Sequence, residues 1–272
     1  MSQATNRIDQ LFADRSKKRF IPFLTIGDPS IELSFELVKE IIAAGADAIE
    51  LGVPYSDPLA DGPTIQRASQ RALAGQVSIR DVIMLVSRLR QAGVEAPLIL
   101  FTYVNPVLQY GLERFFADLA ANGADGVIIP DLPIEENEEA VRIAKEHDLH
   151  VISLVAPTSD SRIAKIGQKA EGFLYCVSSL GVTGTRSSLR GDLDQFLSKV
   201  RESTNAPIAV GFGISTPEQV KDVATYADAV IVGSAIVQEI ERNLPLLKAE
   251  ESLQEGIGNV KTFVQNLASA LQ

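Results

Sequence analysis

The chain has 272 residues, 46% of them hydrophobic and 22% charged, which allows a large core in a chain that stays soluble. Its formal net charge of −10 argues against a nucleic-acid ligand, although backbone amides at a helix N-terminus can still hold a small anion. A single cysteine excludes an internal disulfide framework, no apolar run approaches the ~20 residues of a membrane span, and the first residues lack the apolar centre of a secretory signal, so a cytoplasm or a plastid stroma is expected.

In chain order, a helix is expected at 4–15, then the apolar, β-branched run RFIPFLTIG at 19–27. SIELSFELVKEIIAAG reads as a helix, with Ser30 placed to cap it, apolar residues at three-to-four spacing and Gly45 at its end. DAIELGV (47–53) is a second strand, followed by an extra helix at 62–75. PLILFTY (97–103), DGVIIPD (125–131), HVISLVA (150–156) and GFLYCVS (172–178) are the next strands. The helical patterns LERFFADLAANG, EENEEAVRIAKEHD and SDSRIAKIGQKA separate them. PIAVGFG (207–213) follows, then TPEQVKDVATYA with Thr216 as cap and Pro217 in the first helical position. DAVIVGS (228–234) opens the helix AIVQEIERN, and a last helix is expected at 247–271.

Each of these eight runs is near-continuously apolar, as strands buried on both faces are. Their alternation with helices implies parallel pairing through right-handed crossovers. AGADAIEL (44–51), NGADGVII (122–129) and YADAVIVG (226–233) echo one another as steps from helix end into strand. With no linker in evidence, the expectation is an α/β fold, one (β/α)8 TIM barrel domain over 1–272. Its additional helices are placed at the N-terminus, after strand 2 and at the C-terminus. A doubly wound open sheet is the alternative, but no GxGxxG follows the first strand, where that fold carries it.

A barrel of this kind collects its chemistry at the C-terminal ends of its strands. Glu50 lies in the second strand near that end, and Asp61 lies eleven residues on, in the loop stiffened by Pro54, Pro58 and Pro63. None of the predicted strands contains a lysine, and Arg19 stands at the opposite end of the first, so Glu50 has no evident structural partner. An unpaired charge there is costly, which favours a catalytic role. Asp61 taken alone is a helix cap before Gly62-Pro63. Beside Glu50 it becomes half of a carboxylate pair whose surroundings push their pKa values apart, so that one donates a proton and the other accepts. Asp57 is read as a surface or interface residue. Tyr103 and Asp131 end the third and fourth strands, and Ser178 and Ser179 open the loop after the sixth.

The stretches SLGVTGT (179–185), Gly211-Phe212-Gly213 and Gly233-Ser234 follow strands six, seven and eight. Singly these glycines are turn residues; together, at those strand ends, they point to a phosphate held by backbone N–H groups. Phe23, Phe101, Tyr103, Tyr175 and Phe212 can shape an apolar slot beside it. No lysine is placed for a Schiff base and no His or carboxylate cluster for a metal. His147 and His150 fall on the other face, and Cys176 reads as a buried small hydrophobe.

ELGVPYSDPLADGPTIQRA (50–68), the GVTG loop (181–184) and VGFGIS (210–215) together resemble the tryptophan synthase α-subunit family, with the similarity running from about Phe20 to Gly233. The resemblance implies a lyase: retro-aldol cleavage of indole-3-glycerol phosphate to indole and glyceraldehyde 3-phosphate. Glu50 matches the family's acid-base glutamate and Asp61 the aspartate that stabilises charge at the indole N–H. Phe23, Ile65, Tyr103 and Tyr175 match the indole and glycerol pocket. Thr183 and Gly184 match the mobile loop whose threonine meets the aspartate on closure, and Gly211, Phe212, Gly213, Gly233 and Ser234 match the phosphate cradle. It further implies no cofactor and no metal in this chain, with pyridoxal phosphate on a partner β subunit that receives indole through a tunnel. The implied assembly is an αββα complex whose formation closes segments 54–62 and 179–190, with Asp57 and its neighbouring prolines at the interface. Arg186 receives no role. A phosphosugar isomerase would share the glycines but has no need of PYSDPLADGP, and a non-catalytic barrel that activates a partner has no need of Glu50 and Asp61 together.

Overall fold

The computed structural model describes residues 6–157, 160–177, 186–211 and 213–271. Among them eight strands form a closed barrel: β1 (Arg19–Thr25), β2 (Ile49–Gly52), β3 (Leu98–Phe101), β4 (Gly126–Ile128), β5 (His150–Val155), β6 (Leu174–Val177), β7 (Ile208–Gly211) and β8 (Ala229–Val232). Every neighbouring pair is parallel and β8 closes on β1, which rules out the open sheet. Most strands are shorter than the apolar runs that signalled them, because hydrophobicity continues into the loops past the last ladder bond.

Alternation along each strand sorts side chains into two cores. Ile49 and Leu51 of β2 point outward and pack under the helices, while Ala48 and Glu50 point inward. The inner core is small: Ile21, Ile99, Ile128, Ile152, Phe173, Ala209 and Ala229 fill the lower half of the barrel. The short helix Arg7–Leu11 stops its lower end, where Ile8 is buried and the Phe12 and Phe173 rings meet at 5.8 Å. The outer core is the larger, and Ile31–Ala43 shows how its helices form. The Ser30 hydroxyl accepts from the Leu33 N–H at 3.2 Å, and Leu37, Val38 and Ile41 face the sheet. The chain then turns at Gly45, whose φ of +109° suits glycine. Each such apolar side chain contributes about 1.5–3 kcal/mol by burial.

The sequence echo at 44–51, 122–129 and 226–233 has a structural cause. Its shared aspartate sits at the N-terminal end of an even-numbered strand and accepts a backbone N–H from the strand before it. Asp47 takes Phe20 at 2.8 Å, Asp125 takes Leu98 at 2.8 Å and Asp228 takes Ile208 at 2.7 Å. Arginines neutralise them: Arg19 on Asp47, Arg90 and Arg7 on Asp125, Arg201 and Arg15 on Asp228.

The helix after β2 runs over Pro63–Ala74, close to the expected 62–75. The C-terminal helix is interrupted, with Leu244–Leu247 and a 3-10 turn at Glu250–Ser252 preceding Leu253–Ala268. Three helices in the barrel were not anticipated, Ile79–Gln91, Val104–Tyr110 and Arg186–Ser203. The first carries a legible signal, since Ser78 and Asp81 form a capping box. Helix Arg186–Ser203 takes up the second half of the 179–190 segment read as loop.

Candidate active site

Register places the site. Phe23 of β1 pairs with Glu50 of β2, and Glu50 with Ile99 of β3. Above the inner core the inward positions are therefore Phe23, Glu50, Phe101, Tyr175 and Ile231, and they floor a cavity of about 320 Å³ at the C-terminal mouth. Phe23 and Phe101 meet edge to face at 5.4 Å and, with Ile65, make an apolar wall. Gly52 is required here, because a Cβ on it would lie 2.5 Å from the Phe23 ring.

Glu50 is 1% exposed, and its Oε1 is buried with no hydrogen-bond partner among the described residues. Burial alone pushes its carboxyl well above the usual carboxylate range. Burial therefore favours the protonated, proton-donating form of this carboxyl. Asp61 hangs over the same cavity from the loop after β2. Burial raises it to about 6, against a hydrogen bond from the Tyr103 hydroxyl that lowers it. Near neutral pH Asp61, at about 6, is mostly ionised, whereas burial acts on Glu50 with nothing opposing it. Asp61 does not cap the following helix: the N-cap of Pro63–Ala74 is Gly62, with no side-chain cap bond. The capping alternative for Asp61 loses its basis.

On the opposite side, the loops after β7 and β8 bring Gly213, Ser215, Gly233, Ser234 and Ala235 to the cavity. Helix Ser234–Arg242 starts there with Gly233 as N-cap and no side-chain cap bond. Its first N–H groups precede the first intrahelical bond and face the mouth, an arrangement suited to an anion. Gly213, at φ +75°, turns the β7 loop towards the same place.

Of the residues singled out in the sequence, Glu50, Asp61, Phe23, Ile65, Phe101, Tyr175, Gly213, Gly233 and Ser234 line the cavity. Tyr103 and Gly211 do not. Tyr103 stands behind the β2 loop, its hydroxyl accepting from the Ala60 N–H at 3.1 Å, beside the Asp61 carboxyl that it lowers. Gly211 makes room for a neighbour: a Cβ on it would lie 2.5 Å from the Tyr175 hydroxyl. Burial, followed by the nearby Glu50 and Asp61 charges, pushes the Tyr175 phenol well up, so it keeps its proton. Thr183, Gly184 and Phe212, with Ser178 and Ser179, lie outside the described residues. Sequence reading missed Thr64, Ala235 and Gln238. Gln238 sits four residues after Ser234, one turn along the same helix face, so helical spacing was the available signal.

Asp131 lies past β4 and accepts from the Val104 N–H at 2.9 Å. His150 is at the lower face, against Asp9 at 3.0 Å, and His147 ends a helix there. Cys176 is buried, and burial pushes its thiol up to about 12. No described residue lining the cavity is a lysine, and among the described residues no three His, Cys, Asp or Glu side chains gather to hold a metal.

The model of the family described as "Tryptophan synthase alpha chain" matches residues 10–272. The tryptophan synthase alpha chain of Geobacillus thermodenitrificans is 52% identical over 257 residues, covering 94% of this chain and 96% of the relative. That of Geobacillus stearothermophilus is 53% identical over 252 residues, covering 93% and 94%. Among solved structures, the alpha chain from Legionella pneumophila superposes with a TM-score of 0.85 at 36% identity, covering 98% of both chains. A tryptophan synthase structure from Mycobacterium tuberculosis, in its aminoacrylate-bound form, gives 0.83 at 33% identity, covering 98% of this chain and 100% of that one. A match that runs the length of the barrel, at this identity, leaves one conclusion: the chain belongs to the tryptophan synthase alpha chain family.

Proposed function

We propose that Glu50 and Asp61 carry out the reaction that family membership assigns to this chain, cleavage of indole-3-glycerol phosphate to indole and glyceraldehyde 3-phosphate in tryptophan biosynthesis. The observation that carries this reading is the buried Glu50 carboxyl lining the cavity, its Oε1 without a partner among the described residues. Held neutral by burial, Glu50 delivers its proton to indole C3. The ring becomes an indolenine, an electron sink that takes the pair from the breaking carbon–carbon bond. The carboxylate left on Glu50 draws the proton from the glycerol hydroxyl as that carbon becomes the aldehyde, so the proton count closes with no water consumed. Ionised Asp61 stabilises the positive charge that develops at the indole N–H. The Phe23–Phe101–Ile65 wall suits the flat ring, and the Ser234 helix end with Gly213 and Gly233 suits the phosphate. Protonation at carbon supplies the sink, so the step needs no Schiff base, metal or cofactor from this chain.

Family membership implies a complex with a β subunit. In our reading the pyridoxal phosphate belongs to that partner, the assembly is αββα, and the docking surface lies beside the mouth. Leu59, on the β2 loop, is 91% exposed, and Leu108, on the helix after β3, is 61% exposed. Asp57 and the neighbouring prolines share that loop. The reported relatives are bacterial, which favours a cytoplasmic setting and offers nothing for a plastid. Among the described residues no helix is long and apolar enough to cross a membrane.

An indole-release assay on Glu50→Gln, alone and with a β subunit, tests the core of this reading. We expect a loss of about 10³-fold or more in kcat with substrate binding retained, the range of general acid-base effects. A variant that keeps its full rate removes Glu50 from the mechanism.

A further inference from the structure

The loop between β2 and the Pro63–Ala74 helix starts with the Val53 N–H on the Phe101 carbonyl at 2.8 Å and ends at the Gly62 cap. Between those ends, three contacts with the barrel wall converge on one side chain. The Ala60 N–H donates to the Tyr103 hydroxyl at 3.1 Å, the same hydroxyl stands beside the carboxyl of Asp61, the next residue, and lowers it, and the Tyr55 ring stacks on the Tyr103 ring with centroids 5.0 Å apart and planes at 28°. A phenol has one proton and accepts through its lone pairs. Since Ala60 occupies it as an acceptor, its proton is the one left for Asp61. Where that proton points depends on how the Tyr103 ring is held, and Tyr55 covers its face.

We propose that Tyr55 is a positioning residue for the cleavage reaction: its ring fixes Tyr103, and through that hydroxyl the carboxylate of Asp61. Tyr55 does not line the cavity, so it acts only through Tyr103. The ring is the working part, because its own hydroxyl meets only the Asn105 side chain, at a long 3.4 Å on the exposed side. The other titratable group acting on the Tyr103 hydroxyl is Asp131, bonded to the Val104 N–H, and Tyr175 feels both Glu50 and Asp61.

This inference rests on the assignment of Asp61 above, so Asp61→Asn is measured beside the Tyr55 variants, all with the β subunit bound. Tyr55→Leu is expected to lower kcat by roughly tenfold to a hundredfold, the cost of a small misplacement, with KM within about twofold of the parent. Loosening the bond to Asp61 also moves the acid limb of the kcat profile to higher pH, since that bond lowers the carboxyl. Tyr55→Phe keeps the stack and is expected to stay within about twofold of the parent rate. Adding Tyr103→Phe to Tyr55→Leu is expected to cost little more than Tyr103→Phe alone, as residues acting in series do. An unchanged kcat and pH profile in Tyr55→Leu, or a Tyr55→Phe variant as slow as Tyr55→Leu, overturns the inference. If Asp61→Asn is fully active, the assignment beneath it fails; if Asp61→Asn is dead while Tyr55→Leu is normal, only the inference fails.

Discussion

The two ends of the barrel treat carboxylates in opposite ways, and β2 shows both within four residues. At its lower end Asp47 accepts the Phe20 N–H and pairs with Arg19. Toward its upper end Glu50 is buried with an unpartnered oxygen. Burial raises Asp125 at the lower face too, but the Leu98 N–H, Arg90 and Arg7 pull the other way. Glu50 has no such counterweight. The lower carboxylates therefore hold strands together, whereas burial at the upper end leaves Glu50 raised with nothing opposing it, as a proton donor in the proposed reaction requires. A scaffold can keep a destabilised group at one end because the other end is overdetermined.

Substitutions break or sharpen this contrast. The largest effect after loss of Glu50 is expected from Asp61→Asn, roughly 10²-fold or more in kcat with thermal stability little changed, because Gly62 and not Asp61 caps the next helix. A melting temperature that falls while kcat holds would assign Asp61 to the structural class. Asp125→Ala is the mirror experiment. It strands Arg90 and the Leu98 N–H, and denaturant titration should show a loss of about 3 kcal/mol with kcat of the folded fraction unchanged. Ser234→Asp puts a negative charge at the helix end facing the cavity and should raise KM about tenfold with little change in kcat. An unchanged KM would move the phosphate elsewhere.

The smallest effect concerns stability alone. Glu50 is raised in the folded state, so the unfolded chain releases its proton first as pH rises, and folding loses stability above the ordinary carboxylate range. Glu50→Gln lacks that loss. Its melting temperature should match the parent near pH 4 and exceed it increasingly as pH rises above the ordinary value of ~4.3. A gap that does not widen with pH would mean that Glu50 has a counter-charge in solution.

Much of this protein is legible in one dimension. Eight buried runs alternating with amphipathic stretches dictate parallel pairing, and short connections dictate crossovers of one hand, so closure into a barrel follows from local pattern and chirality. The strand-end rule then puts Glu50 and Asp61 on one face, and with no lysine in the strands and Arg19 at the opposite end of the first, Glu50 has no evident basic partner. Folding alone decided what depends on distance through space. Tyr103 looks like pocket lining in the sequence, yet it is the post that holds Ala60 and Asp61, because its role is set by a loop forty-odd residues away. Gly211 looks like part of an anion cradle, yet it clears space for the Tyr175 hydroxyl across the β6–β7 ladder. The AGAD-type echo looks like a remnant of repetition, and only the ladder shows each aspartate closing the strand before it. Periodicity records which face a side chain takes; hydrogen bonds between distant segments leave no period to read.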